Sequence, residues 1–248
     1  MSAPQYILCI ETGTDTCSVA LAADGRLAAL RESHGERDHA ARVAVYTAEV
    51  LAEAGIAAGD LSAVAVSKGP GSYTGLRIGV SFAKGLCYGL GIPLIGVGSL
   101  DSLCAVARGE RMESAGDATA EFRSVSRTHS PERNRALFVP MIDARRMEVY
   151  GQVFDPTDTP LTEPEAWIID ENSLAEYRDR DVVIFGSGAE KCRESLPWAR
   201  FTDVQPSAKG MIELATDALR AGRKENTAYF EPFYLKDFVV TTSTKKLF

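Results

Sequence analysis

The chain has 248 residues, a formal charge of −7 and a composition that is 45% hydrophobic and 25% charged. These values are typical of a soluble globular protein, and they exclude a collagen, a wholly disordered chain and a coiled coil. A nucleic-acid-binding protein that acts alone usually carries a strong basic excess. The negative charge therefore disfavours that class without forbidding contact with RNA inside a complex. The length allows one large domain or two compact ones.

The sequence carries no signal for export or for membrane insertion. Its N-terminus lacks the basic region and apolar stretch of a signal peptide, and no segment approaches the roughly 18 apolar residues of a membrane span. The cysteines are scattered without a CxxC pair, so we expect buried thiols in a reducing compartment. They are Cys9, Cys17, Cys87, Cys104 and Cys192. The sequence therefore predicts a cytoplasmic protein without a membrane segment.

The first hundred residues alternate between strand and helix patterns. Short apolar runs at residues 6–10, 19–23 and 27–31 predict a three-stranded meander, with Asp24-Gly25 as a tight hairpin turn. The next predicted elements are a helix at 38–54, a strand at 64–66, a helix at 74–90, a strand at 93–97 and a helix at 100–107. Strands that alternate with helices indicate an α/β fold, and the opening hairpins make its sheet a mixed one.

The segment 108–135 differs from its surroundings. It holds six Arg and five acidic residues, many Ser and Thr, and one aromatic residue, Phe122. Such a composition cannot bury enough apolar surface to offset the entropy of ordering it. The segment is therefore either a mobile surface insertion or a basic arm that meets a partner.

The second half opens with a hairpin as the first half does. Apolar runs at 137–142 and 148–154 flank a turn at 143–146, followed by a buried strand at 182–185 and an amphipathic helix at 207–221. We expect two similar subdomains, 1–107 and 136–221, separated by the insertion. Residues 222–248 would return to the first subdomain and end in a polar tail.

A glycine-rich motif occupies residues 67–86, where a strand passes through a loop into a helix. Gly69, Gly71 and Gly75 could aim backbone N–H groups at an anion, or they could form a sharp structural turn. The motif is not a P-loop, because Leu76 and Arg77 follow Gly75 where that pattern requires Lys and Ser or Thr.

Two predicted helices carry ridges of small residues at a spacing of four. Each glycine inside a helix costs roughly 0.5–1 kcal/mol relative to alanine, so such a ridge needs a packing reason. The ridges could pack within the chain, or they could jointly present a flat face to another subunit. For the second alternative, Gly79→Leu is expected to block association while the chain stays folded. The ridge residues are Ala40, Ala44, Ala48 and Ala52 in the first helix and Gly75, Gly79 and Ala83 in the second.

Four stretches together resemble the TsaB (YeaZ) family of accessory proteins in tRNA threonylcarbamoyladenosine biosynthesis. They are ILCIETGTDTCSVAL at 7–21, GPGSYTGLRIGVSFAKGL at 69–86, IDARRMEVY at 142–150 and PFYLK at 232–236. The resemblance covers nearly the whole chain except 108–135. It implies an α/β fold of the actin-like ATPase (ASKHA) type, in which two related subdomains each contain a mixed sheet with flanking helices.

The resemblance also implies two loops that contact phosphate in relatives that use ATP. They would be Glu11, Thr12 and Gly13 in the first subdomain and Gly186, Ser187 and Gly188 in the second. Those relatives commonly have Asp where this chain has Glu11, whose side chain is one methylene longer. We therefore expect vestigial loops and no cofactor for the chain alone, with ATP or ADP bound only at a subunit junction.

The catalytic paralogue of the family, TsaD, binds a metal through a His-x-x-x-His pair. Matching its pattern to this sequence puts Ser99 and Leu103 at the ligand positions. Leucine has no donor atom and serine is a weak neutral ligand, so the resemblance implies neither a metal site nor catalytic residues here.

By resemblance, the expected function is that of a non-catalytic scaffold or activating subunit. It would bind TsaD as a heterodimer through the helices at 38–54 and 74–90, and would work with TsaE and, through the complex, with tRNA. Alone, the same face could form a homodimer. Two alternatives stay open: an autonomous ATP-dependent transferase or kinase of the actin-like superfamily, and a metallopeptidase.

Overall fold

A computed structural model describes residues 4–35, 38–114 and 136–236. Its first sheet has the strand order β3-β2-β1-β4-β5, with antiparallel pairing among the first three strands and parallel pairing between β1, β4 and β5. The strands are β1 Tyr6–Glu11, β2 Thr16–Ala23, β3 Arg26–His34, β4 Leu61–Gly69 and β5 Leu94–Gly98. Asp24 and Gly25 both have positive φ angles, as a tight hairpin requires, so the predicted meander and its turn are confirmed.

Both faces of this sheet are buried, because apolar residues occupy successive positions of its central strand. Leu8 and Ile10 point towards two helices, α1 (His39–Ala54) and α2 (Tyr73–Leu90). Ile7 and Cys9 point to the opposite face, towards α4 (Met211–Arg220). The alternation follows from the two-residue period of a strand.

The ends of α1 and α2 have local causes. Each helix is followed by a glycine in the left-handed conformation, Gly55 and Gly91, both at a φ of 67°. At the start of α2, the hydroxyl of Ser72 accepts a hydrogen bond from the backbone N–H of Gly75. The predicted helices at 38–54 and 74–90 are thus confirmed to within one residue.

The second sheet repeats the strand order of the first. Its order is β8-β7-β6-β9-β10, and it again has two antiparallel pairs on one side and two parallel pairs on the other. The strands are β6 Leu137–Asp143, β7 Glu148–Gly151, β8 Glu165–Ile168, β9 Val182–Phe185 and β10 Arg200–Phe201. The expectation of two related subdomains is therefore confirmed.

The predicted start of the insertion, at residue 108, is wrong. Helix α3 spans Ser99–Ser114, so the first residues assigned to the insertion are helical. The physical reason is that Arg, Glu and Met are good helix formers, so their intrinsic preference continues the helix. Residues 115–135 lie outside the described residues, as does the choice between a mobile insertion and a basic arm. After Gly188, the chain forms a single 3-10 turn at Glu190–Cys192.

The helix predicted at 207–221 belongs with the first sheet rather than with the second subdomain. It consists of a 3-10 turn at Ala208–Gly210 followed by α4. Met211 and Ala215 pack against Ile7 and Ala65 on the face opposite α1 and α2. Small residues in the sheet leave room for this helix, and a helical period alone does not specify which sheet the helix covers.

Candidate functional site

The turn between β1 and β2, residues 12–15, holds the beginnings of both α1 and α2. The Thr12 hydroxyl donates to the carbonyl oxygen of Gly75 at 2.8 Å, and the backbone N–H of Ser72 donates to the carbonyl oxygen of Gly13 at 2.6 Å. His39, the first residue of α1, lies 2.7 Å through Nε2 from the carbonyl oxygen of Thr14. The β1–β2 turn therefore fixes the starting points of two neighbouring helices.

Glu11, at the end of β1, is only 1% exposed. Its Oε1 accepts a hydrogen bond from the backbone N–H of Gly13 at 2.5 Å, within the same turn. Burial raises the pKa of this carboxyl to about 7, although hydrogen bonds from Gly13, Ser67 and Thr12 oppose the rise. The Glu11 carboxyl group is thus hydrogen-bonded within its own turn.

The glycine ridge of α2 faces inward, which contradicts its assignment to a partner interface. Gly75, Gly79 and Ala83 are all buried. A Cβ on Gly75 would overlap the carbonyl oxygen of Thr12, and a Cβ on Gly79 would overlap the Thr12 hydroxyl. The ridge lets the helix approach the β1–β2 turn, so packing within the chain is its role. Gly79→Leu would consequently disturb the fold itself.

The alanine ridge of α1 faces outward, as its interface assignment requires. Ala40, Ala44, Ala48 and Ala52 are exposed. The outward residues of α2 are a different set from the predicted one: Thr74, Arg77, Ser81 and Gly85. Their spacing of three and four residues is the signal that could have identified them. We call the outward surface of these two helices the α1–α2 face.

An open groove of about 730 Å³ runs between the two helices on this face. Ala40 and Val43 line one side, and Thr74, Ile78, Ser81 and Phe82 line the other. The groove is open to the outside, which leaves it accessible to the ridge of a helix from another molecule. The α1–α2 face is therefore the candidate functional site.

The second glycine loop packs against the end of β6. The backbone N–H of Gly188 donates to the carbonyl oxygen of Met141 at 2.9 Å, and the Ser187 hydroxyl accepts from the backbone N–H of Asp143 at 3.2 Å. Gly186 has a φ of 101°, a conformation that suits glycine. The described hydrogen bonds of this loop are thus internal to the second lobe.

The two positions matched to the metal-binding pair are both buried. Ser99 is 2% exposed, and Leu103 is fully buried beside Phe138 and Phe185. Across residues 4–35, 38–114 and 136–236, no three His, Cys, Asp or Glu side chains form a group that could hold a metal ion.

Within the part of the chain that the structure describes, no helix is both long enough and apolar enough to cross a bilayer.

Two lobes with matching mixed sheets and flanking helices define the actin-like ATPase (ASKHA) fold. The solved structure of YeaZ from Pseudomonas aeruginosa has this fold with a TM-score of 0.71 and 24% identity, covering 93% of this chain and 100% of that chain. The TsaB protein of Escherichia coli (strain K12), named for tRNA threonylcarbamoyladenosine biosynthesis, is 30% identical over 248 residues, which cover 94% of this chain and 95% of that protein. The chain belongs to the TsaB (YeaZ) family.

A second similarity involves the catalytic branch. The family model of TsaD, described as tRNA N6-adenosine threonylcarbamoyltransferase, matches residues 33–118. A tRNA N6-adenosine threonylcarbamoyltransferase of Nitratidesulfovibrio vulgaris (strain DP4) is 37% identical over 233 residues, covering 81% of this chain and 63% of that protein. The TsaD match includes both helices of the α1–α2 face.

Proposed function

We propose that this protein is the non-catalytic partner of a TsaD-type threonylcarbamoyltransferase in tRNA threonylcarbamoyladenosine formation. The observation that carries the proposal is the α1–α2 face, where α1 exposes a ridge of alanines and an open groove runs between the two helices. TsaE joins the complex, and tRNA is contacted chiefly through the catalytic subunit. This assignment agrees with the net charge of −7, because the RNA-binding surface then belongs to another chain.

The TsaD-type partner is favoured by the similarity of the two surfaces. The TsaD family model matches residues 33–118, the stretch that contains α1 and α2. A protein of that family therefore carries a comparable helix pair, and two comparable pairs can meet about a pseudo-twofold axis. The same geometry lets two copies of this chain pair through this face when no partner is present.

The size of the ridge residues suits the packing of helices across this interface. The exposed alanines Ala40, Ala44 and Ala48 lie one turn apart, so the ridge of an opposing helix can fit beside them. Binding stabilises whichever arrangement of the partner makes these contacts better. The chain would thus activate the partner by favouring its active arrangement.

The absence of independent catalysis is the second part of the proposal. Glu11 is bonded to its own turn, and Leu103 replaces a potential metal ligand with a buried hydrocarbon. These two observations support the role of a scaffold, which has the fold of an ATP-dependent enzyme but does not carry out its chemistry. A nucleotide would then bind only where this chain meets another subunit.

The docking proposal is tested by placing a charge on either helix of the α1–α2 face. We expect Ala44→Arg and Ser81→Arg to weaken binding to purified TsaD by about 100-fold or more, because burying an unpaired charge costs about 3 kcal/mol or more. Calorimetric titration measures the change. Both positions are exposed in the free chain, so its thermal unfolding should stay as in the wild type.

Ala221→Arg is the matched control. Ala221 is exposed beyond the end of α4, which covers the opposite face of the first sheet. It should bind TsaD with wild-type affinity. Wild-type binding by both Ala44→Arg and Ser81→Arg would show that the docking surface lies elsewhere, and a wild-type chain that does not bind TsaD would refute the proposed function.

A further inference from the structure

The C-terminal strap, residues 225–236, runs along the first lobe and reaches the second. It begins where the backbone N–H of Glu225 donates to the carbonyl oxygen of Leu94, on the edge strand β5. Nζ of Lys84, on α2, then donates to the carbonyl oxygens of Ala228 at 3.1 Å and Phe230 at 2.9 Å. The strap is thus attached to the same helix that forms one side of the α1–α2 face.

A second attachment lies at the end of β4, shortly before α2 begins. The backbone N–H of Phe233 donates to the carbonyl oxygen of Lys68 at 2.6 Å. The carbonyl oxygen of Phe233 lies so close to Gly69 that a Cβ there would overlap it. This close contact between Phe233 and Gly69 fixes the distance of the strap from the beginning of α2.

The next residue of the strap supports the rim of the groove. The ring of Tyr234 lies 4.9 Å from the ring of Tyr73, centroid to centroid, with an angle of 35° between the planes. The guanidinium carbon of Arg77 lies 5.1 Å from the centroid of the Tyr73 ring, and the guanidinium donates a hydrogen bond to the Tyr73 hydroxyl. Tyr73 and Arg77 both line the groove of the α1–α2 face.

The described end of the strap contacts the second lobe. Lys236 forms an ion pair with Glu148, at the start of β7, and its Nζ lies 5.9 Å from the centre of the Tyr150 ring. The residues that support Tyr73 are therefore fixed on both sides, to β4 on one and to β7 on the other. A strap held at both ends can keep one aromatic ring in place against the rim of a groove.

We propose that Tyr234 is a positioning residue for partner binding: it holds Tyr73, and through Tyr73 also Arg77, in the orientation that the partner contacts. The proposal rests on the docking function of the α1–α2 face. Tyrosine and arginine are the side chains that most often contribute large binding energies at interfaces, and their contribution depends on being ordered before binding. Tyr234 would order them without itself contacting the partner.

The test is a calorimetric titration of TsaD with the full chain and its variants. Loss of the interaction free energy of such an aromatic pair should weaken binding by Tyr234→Ala about three- to tenfold. Tyr234→Phe keeps the ring and should restore wild-type affinity. Tyr229→Ala removes a ring from the same strap that is 84% exposed, and it should bind as the wild type does.

A double-mutant cycle separates positioning from direct contact. If Tyr234 acts through Tyr73, the double variant Tyr73→Ala/Tyr234→Ala should bind no more weakly than Tyr73→Ala alone. Amide hydrogen exchange in the free chain should become faster over residues 72–77 in Tyr234→Ala and stay unchanged in Tyr229→Ala. This second measurement does not depend on binding.

Three results would overturn the proposal. Unchanged affinity in Tyr234→Ala would show that the strap does not influence docking, and additive losses in the cycle would show that Tyr234 contacts the partner directly. A wild-type chain that fails to bind TsaD would remove the proposed function and this inference with it. If the wild type binds TsaD and Tyr234→Ala binds it equally well, only the role of Tyr234 is refuted and the proposed function is not.

Discussion

At the scale of single residues, the buried carboxyl group of Glu11 takes part in the hydrogen bonding of its own turn. In this chain the carboxyl group accepts the Gly13 N–H of its own turn, while Thr12 and Gly13 bond to the beginning of α2. Its burial among neutral groups raises its pKa to about 7. The folded chain therefore keeps this carboxyl protonated over a pH range in which the unfolded chain ionises it.

This raised pKa predicts a pH dependence of stability with a definite sign. Between pH 4.5 and about 7 the folded chain keeps a proton on Glu11 that the unfolded chain releases, so the free energy of unfolding falls as pH rises through that window. Glu11→Gln stays neutral, and its amide oxygen still accepts from Gly13. We expect its stability advantage over the wild type to grow across the window and level off at about 3 kcal/mol above it.

Urea unfolding at a series of pH values measures this difference. Glu163→Gln, at an exposed position, serves as the control and should parallel the wild type. A Glu11→Gln curve that stays parallel to the wild-type curve from pH 4 to 8 would show that the carboxyl group is not held neutral in the fold.

At the scale of elements, α2 has two faces with different tasks. Its glycines at positions 75 and 79 allow the helix to approach the β1–β2 turn, whereas Thr74, Ser81 and Gly85 lie on its outward side. Both faces include small residues, for different reasons. The inward face needs space for the backbone of its own chain, and the outward face borders an open groove.

Alanine substitutions at two glycines of α2 should therefore have opposite effects. Gly75→Ala places a methyl group against the backbone of Thr12 and should destabilise the chain by about 2 kcal/mol. At Gly85 a Cβ meets nothing within 4 Å, so Gly85→Ala should stabilise the helix by about 0.5–1 kcal/mol. Midpoints of chemical denaturation give both values, and changes of equal sign would contradict the assignment of the two faces.

At the scale of the whole molecule, the two lobes are joined by α3 and by the strap. Leu100 and Leu103 of α3 pack with Phe138 and Phe185 of the second sheet. Arg108, further along α3, forms ion pairs with Asp158 of the second lobe and with Glu213 of α4. The two loops that are predicted to contact phosphate, at 11–13 and 186–188, belong to different lobes, so nucleotide binding would require both lobes.

The isolated chain is expected to show no saturable ATP binding in calorimetry. The backbone N–H of Gly13 already donates to Glu11, and that of Gly188 donates to Met141, so neither is free for a phosphate oxygen. Saturable binding by the wild type that disappears in Glu11→Ala would instead favour an autonomous ATP-dependent transferase or kinase. Binding that appears only after TsaD is added would agree with a site at a subunit junction.

The sequence by itself determined the order of the elements, the turn at Asp24-Gly25, the two hairpins that open the two lobes, and the family. These features depend on residues close together in the chain, whose preferences are local. Only the tertiary structure decided that Gly75, Gly79 and Ala83 face inward, and that α4 covers the first sheet. A helical period shows which residues share a face, but not what lies opposite that face. Small residues suit the chain's own backbone and a partner's helix equally well, so the choice between the two depends on the packed fold.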